Sequence, residues 1–148
     1  MKAVIQRVSK ASVTIDGETV SSIGKGYLVL LGVAGDDTED SMKKLVKKMI
    51  DLRIFQDENG KTNLSIEDVG GELLVVSQFT LLADCRKGRR PSFVKAGDPK
   101  EAKRMYEAFI EECKKRIANT FHGEFGADMK VDLQNDGPFT IILDSNEL

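Results

Sequence analysis

Tyr27-Leu28-Val29-Leu30-Leu31-Gly32-Val33-Ala34 is an unbroken apolar run with glycine at both flanks. A run of this length and aliphatic content is the pattern of a strand covered on both faces, and it belongs at the centre of a sheet. Working towards the N-terminus, Ala3 to Val8 reads as a strand. Ala11, Val13 and Ile15 then alternate with Ser12, Thr14 and Asp16 up to the turn-forming pair Asp16-Gly17, which predicts a hairpin.

Beyond the run the period changes. Met42, Leu45, Val46, Met49 and Ile50 recur at helical spacing, behind Asp37, Glu39 and Asp40, where a helix N-terminus favours negative charge. Leu52 to Phe55 reads as a short strand, Asp57-Glu58-Asn59-Gly60 as a turn, and Glu72 to Thr80 as a strong strand. A second helix is announced by Asp98 as N-cap, Pro99 at the first position and Glu101 as capping-box partner. Its stripe of Ala102, Met105, Tyr106, Phe109, Ile110, Cys113 and Ile117 is a core face. Lys130 to Gln134 and Phe139 to Leu143 read as strands separated by Asn135-Asp136-Gly137-Pro138.

Strands outnumber helices, and two connections are too short for crossovers. The expected fold is therefore α+β: a largely antiparallel, curled or barrel-like sheet with two covering α-helices. The 148 residues, 41% hydrophobic and 31% charged, fit a single domain over 1–148 with no linker or repeat. The opening residues lack the apolar core of a signal peptide and no run approaches a membrane span, so the expected location is the cytoplasm.

Side-chain chemistry is sparse. The one histidine, His122, lies in a glycine-containing stretch, and no two of His122, Cys85 and Cys113 have zinc-like spacing, so no metal is expected; Gly24-Lys25-Gly26 and Gly70-Gly71 are isolated turn glycines without a P-loop or dinucleotide fingerprint, so no nucleotide cofactor is expected. Cys113 falls on a helix's apolar face and Cys85 in a loop. With a net charge of −2, a polyanionic partner must be met locally, and Arg86-Lys87-Gly88-Arg89-Arg90 offers four cations in five residues, which either face phosphates or simply form a solvated loop. Ser77-Gln78-Phe79-Thr80-Leu81 places a hydroxyl and an amide at the end of an apolar strand, where they could face a cleft or simply mark the strand leaving the core. Asn135-Asp136-Gly137-Pro138 is by local rules a turn with an ordinary trans peptide.

Taken with Met1-Lys2-Ala3-Val4-Ile5-Gln6-Arg7-Val8, Lys87-Gly88-Arg89-Arg90-Pro91-Ser92-Phe93 and Gly123-Glu124-Phe125-Gly126-Ala127-Asp128-Met129, these two segments resemble the D-aminoacyl-tRNA deacylase family over nearly the whole chain. The resemblance implies hydrolysis of the ester of D-aminoacyl-tRNA, and of mischarged glycyl-tRNA, by a homodimer. It implies Ser77, Gln78, Phe79 and Thr80 as the catalytic segment, and a cis Gly137-Pro138 peptide that reaches into the partner's site and is held by Arg7. It further implies adenosine near Phe79 and Met129, which makes Arg86, Lys87, Arg89 and Arg90 the candidates, on charge, to meet the tRNA phosphates. Phe139 and Leu82 differ from the family's usual smaller β-branched and aromatic residues. A non-catalytic RNA-binding module and a small esterase indifferent to tRNA are the rival readings.

Overall fold

A computed structural model describes residues 1–148. The elements run β1 (Lys2–Ile15), β2 (Glu18–Ile23), β3 (Gly26–Gly32), α1 (Glu39–Asp51), β4 (Phe55–Gln56), β5 (Thr62–Leu64), β6 (Glu72–Ser77), a 3₁₀ turn (Phe79–Leu82), α2 (Pro99–Lys114), β7 (Thr120–His122), β8 (Lys130–Asp144) and a terminal 3₁₀ turn (Ser145–Glu147). The α+β expectation holds. The main sheet has the order β2-β1-β3-β6-β7 with β8 on the other side of β1, and β4 pairs with β5 in a small second sheet.

The apolar run becomes β3, which pairs antiparallel with β1 and parallel with β6. Its alternate side chains enter two separate cores, as burial on both faces requires. Tyr27, Val29 and Leu31 join Leu73, Val75 and the apolar faces of both helices in the larger core. Leu28 joins Val8, Ala11, Val13, Leu74 and Val76 in the smaller one. The sheet curls far enough for β2 to meet β7, where Ser21 Oγ donates to the His122 carbonyl at 2.5 Å. No helix is long and apolar enough to cross a membrane.

Several local expectations shift. The cap of α1 is Thr38, whose side chain accepts from Ser41 N–H while Ser41 Oγ accepts from Thr38 N–H. Asp37 instead accepts from Ala34 N–H at 2.7 Å and pairs with the Met1 ammonium at 2.5 Å. Asp98 caps α2 by accepting from Lys100 and Glu101 N–H. The carboxylate of Glu101 pairs with Arg104 Nε at 2.8 Å rather than closing a capping box.

The strand from Glu72 stops at Ser77, and Phe79 and Thr80 lie in the 3₁₀ turn. Gly32 makes room for that turn: a Cβ there would lie 2.4 Å from Leu82 Cδ2 and 3.1 Å from the Gln78 carbonyl, so the turn packs back over β3 where the side chain is missing. The last two predicted strands are one strand, β8, which runs along β1 and carries Asp136 to Phe139 as an excursion.

Candidate active site

The excursion is best described by register. Gln6 pairs with Thr140 and Val8 with Asn135. Between those pairs β1 supplies only Arg7, whereas β8 supplies Asp136, Gly137, Pro138 and Phe139. The extra residues bulge out of the ladder, as unequal residue counts require. Gly137 and Pro138 are exposed and their peptide bond is cis.

Arg7 shares the inward phase of Ala3 and Ile5, and its side chain reaches beneath the bulge. It is 7% exposed, and Nε donates to the Asp136 carbonyl at 2.9 Å while Nη1 donates to the Ile54 carbonyl at 2.6 Å. The guanidinium carbon lies 4.5 Å from the centroid of the Phe139 ring. A buried cation is tolerable here because carbonyl dipoles and an aromatic face replace its water.

At the other end of the sheet, Ser77, Gln78 and Phe79 border two adjoining cavities. One, of about 430 Å³, is largely apolar, walled by Leu31, Phe93, Tyr106 and Phe125. The other, of about 340 Å³, runs to Asp128 and Met129. Phe79 is 57% exposed between them and meets Phe93 edge-on, with ring centroids 5.0 Å apart.

Gln78 N–H donates to the Leu31 carbonyl, and Leu81 N–H to the Gln78 carbonyl. The Phe79 and Thr80 amides therefore open the turn and have no carbonyl partner within it. Gln78 Nε2 donates to Thr80 Oγ1. None of residues 135–139 lines either cavity.

The basic segment forms a closed loop. Asp84 and Ser92 exchange main-chain hydrogen bonds of 2.7 and 2.9 Å at its neck. Arg86 forks onto Asp84 at 2.9 and 2.6 Å, and these bonds hold the Asp84 carboxyl below the usual carboxylate range. Lys87, Arg89 and Arg90 are exposed and form no ion pair. After the neck, Phe93 touches Phe79, so the loop adjoins the cavities.

His122 lies elsewhere, with Nδ1 2.6 Å from the Gly123 carbonyl, and lines neither cavity. Cys113 is buried in the core, where burial pushes its thiol up to about 12. Cys85 is exposed in the loop. No group of three or more His, Cys, Asp and Glu side chains is placed to hold a metal ion.

A family model described as D-Tyr-tRNA(Tyr) deacylase matches residues 4–144, which includes the bulge, the 3₁₀ turn and the loop. The chain belongs to that deacylase family. Membership makes it an aminoacyl-tRNA deacylase, a hydrolase of the ester that joins an amino acid to tRNA. Proteins named D-aminoacyl-tRNA deacylase from Clostridium novyi (strain NT) and Clostridium botulinum (strain Loch Maree / Type A3) are 53% and 56% identical over 147 residues, covering 99% of each chain.

A solved structure titled c-Myc DNA Unwinding Element Binding Protein superposes with a TM-score of 0.92 at 46% identity, covering 97% of this chain and 98% of that one. A probable eukaryotic D-amino acid tRNA deacylase shares the fold, with a TM-score of 0.84 at 16% identity and coverage of 96% and 97%.

Within this deacylase fold, the structure gathers Ser77, Gln78, Phe79 and Met129 around the cavities and joins Arg7 to the Gly137-Pro138 bulge. It leaves these two groups on different walls of one subunit. Sequence reasoning missed Tyr106 and Asn135 as parts of the site. Tyr106 reads as core from its helical stripe, and its hydroxyl does donate to the buried Val75 carbonyl at 2.8 Å, yet its ring walls the larger cavity. Asn135 stands in a segment that the resemblance singles out but has no role there, because its three hydrogen bonds depend on a register that only the paired strands reveal.

Proposed function

We propose that two copies of this chain form a chiral proofreading enzyme that hydrolyses D-aminoacyl-tRNA, and glycyl-tRNA, in the cytoplasm. The ester carbonyl lies at the opening of the 3₁₀ turn. Water attacks it, the ribose 2′-hydroxyl of the substrate assists, and the oxyanion is met by the Phe79 and Thr80 amides. Collapse releases the free amino acid as the ribose oxygen takes up a proton. Main-chain donors of this kind are each worth about 3 kcal/mol in the transition state, and an activated ester needs little else, which fits a site without histidine.

Adenosine lies in the cavity between Phe79 and Met129. The exposed Lys87, Arg89 and Arg90, with Arg86, meet phosphates. Gly137 and Pro138 enter from the second copy, presenting carbonyls that accept from the ammonium of a D-residue and occupy the space an L side chain needs. Arg7 fixes their direction by holding the Asp136 carbonyl.

The observation that carries the reading is the separation of the bulge from the cavities of its own chain. An exposed, side-chain-anchored motif that lines neither cavity of its own subunit is suited to completing the site of another.

The experiment is deacylation of D-Tyr-tRNA, L-Tyr-tRNA and Gly-tRNA by metal-free protein, with its mass measured by sedimentation. Loss of the D- and glycyl esters by a dimer, with the L-ester intact, is expected. Loss of all three would reduce the protein to an unselective esterase. Loss of none, with the tRNA still bound, would favour a nucleic-acid-binding module built on the basic loop.

A further inference from the structure

The bulge has two separate fastenings, and only Arg7 has a place in the reading above. Asn135 is the second. Its Nδ2 donates to the Arg7 carbonyl at 2.9 Å and to the Phe139 carbonyl at 2.9 Å, while its Oδ1 accepts from Phe139 N–H at 3.0 Å. The carboxamide thus uses both hydrogens and its oxygen on main-chain groups, and ties the last paired residue before the excursion to the excursion's end. What lies between is only Asp136, Gly137 and Pro138. The β1–β8 ladder breaks here, and a side-chain amide takes over the bonds that a paired residue would otherwise have made.

The two fastenings do different jobs. Arg7 holds one carbonyl, that of Asp136, from below. Asn135 closes the base across which the bulge is strung, and so sets how far Gly137 and Pro138 stand out and which way their carbonyls face. The stereochemistry of the Asn135 site is narrow. Aspartate would retain the acceptor for Phe139 N–H but turn a carboxylate towards the Arg7 and Phe139 carbonyls, exchanging two attractions for two repulsions. Serine reaches at most part of the set.

We infer that Asn135 is a specificity-determining positioning residue, whose carboxamide clip sets the discrimination between D- and L-aminoacyl esters. The inference rests on the reading of the bulge as the chiral filter of a second copy. Asn135 touches no substrate; it acts through the carbonyls of Gly137 and Pro138.

The test compares D-Tyr-tRNA and L-Tyr-tRNA deacylation by the wild-type protein, Asn135→Asp and Asn135→Ser, with the folded fraction of each measured by circular dichroism. A merely structural role lowers the active fraction and depresses both rates alike, leaving their ratio fixed. The clip predicts that the D-to-L ratio falls by about tenfold or more in Asn135→Asp, the equivalent of one or two lost hydrogen bonds, and by less in Asn135→Ser.

A ratio unchanged in folded variants overturns the role of Asn135 while leaving the filter intact. A wild-type protein with no D-to-L preference overturns the filter itself and the clip with it. If neither variant folds, amide hydrogen exchange on the wild type decides: Phe139 N–H is expected to be protected, and exchange at the rate of an unbonded amide overturns the clip.

Discussion

The 3₁₀ turn at Phe79–Leu82 and the bulge at Asp136–Phe139 are both departures from a strand, and they are held in opposite ways. The turn is fixed by main-chain bonds, from Gln78 N–H to Leu31 and from Leu81 N–H to Gln78, and by the missing side chain of Gly32. The bulge is fixed by two side chains, Arg7 and Asn135. A region secured through its backbone tolerates changes of its side chains, whereas a region secured by side chains does not. Oxyanion stabilisation asks only for N–H groups and suits the first; a stereochemical filter asks for carbonyls turned outward and suits the second.

The largest effect that would expose this difference is expected from Gly137→Ala. A Cβ at this position falls 2.0 Å from the Phe139 nitrogen, a main-chain atom that cannot yield without moving the bulge. Turnover of D-Tyr-tRNA should drop by about a hundredfold, the scale of an ångström-sized misplacement, with little change in melting temperature because the bulge is exposed. Near wild-type single-turnover rates would show that the bulge can move freely and does not position anything.

Arg7→Lys comes next. An ammonium cannot serve the Asp136 and Ile54 carbonyls together in the geometry of the guanidinium, so one buried acceptor is stranded and stability should fall by about 2 kcal/mol. Urea unfolding checks it, and an unshifted midpoint would mean that the fastening is dispensable.

The apolar run, the hairpin at Asp16-Gly17 and both helix stripes are local patterns, and they are enough for the α+β arrangement around a buried β3. The end of the strand at Ser77 is not legible, because the room for the turn that follows is left by Gly32, forty-five positions earlier in the chain. Arg7 in sequence is a cation in a strand, tied to Gly137-Pro138 only by resemblance; that it lies beneath a bulge follows from pairing β1 with β8. Resemblance named most of the site residues, but the grouping of Ser77 to Phe79 with Tyr106 and Phe125 depends on helix packing that no short motif encodes.

On the turn itself, Thr80→Ala is expected to cost less than about tenfold in rate, since a lost side-chain hydroxyl leaves the main-chain donors in place. A fall of about a thousandfold or more would make Thr80 a nucleophile and erase the contrast between the two regions. The smallest effect belongs to the loop. Neutralising Arg89 and Arg90 together should raise KM and reduce the slope of log affinity against log salt by roughly 1.4 to 1.8, without altering the D-to-L ratio. A slope unchanged would show that these cations meet no phosphate.

Phe79, more than half exposed, lines both cavities, so a turn of its ring reshapes the two at once. An occupant that spans both cavities meets the same ring on either side, so its two halves are coupled through that one side chain.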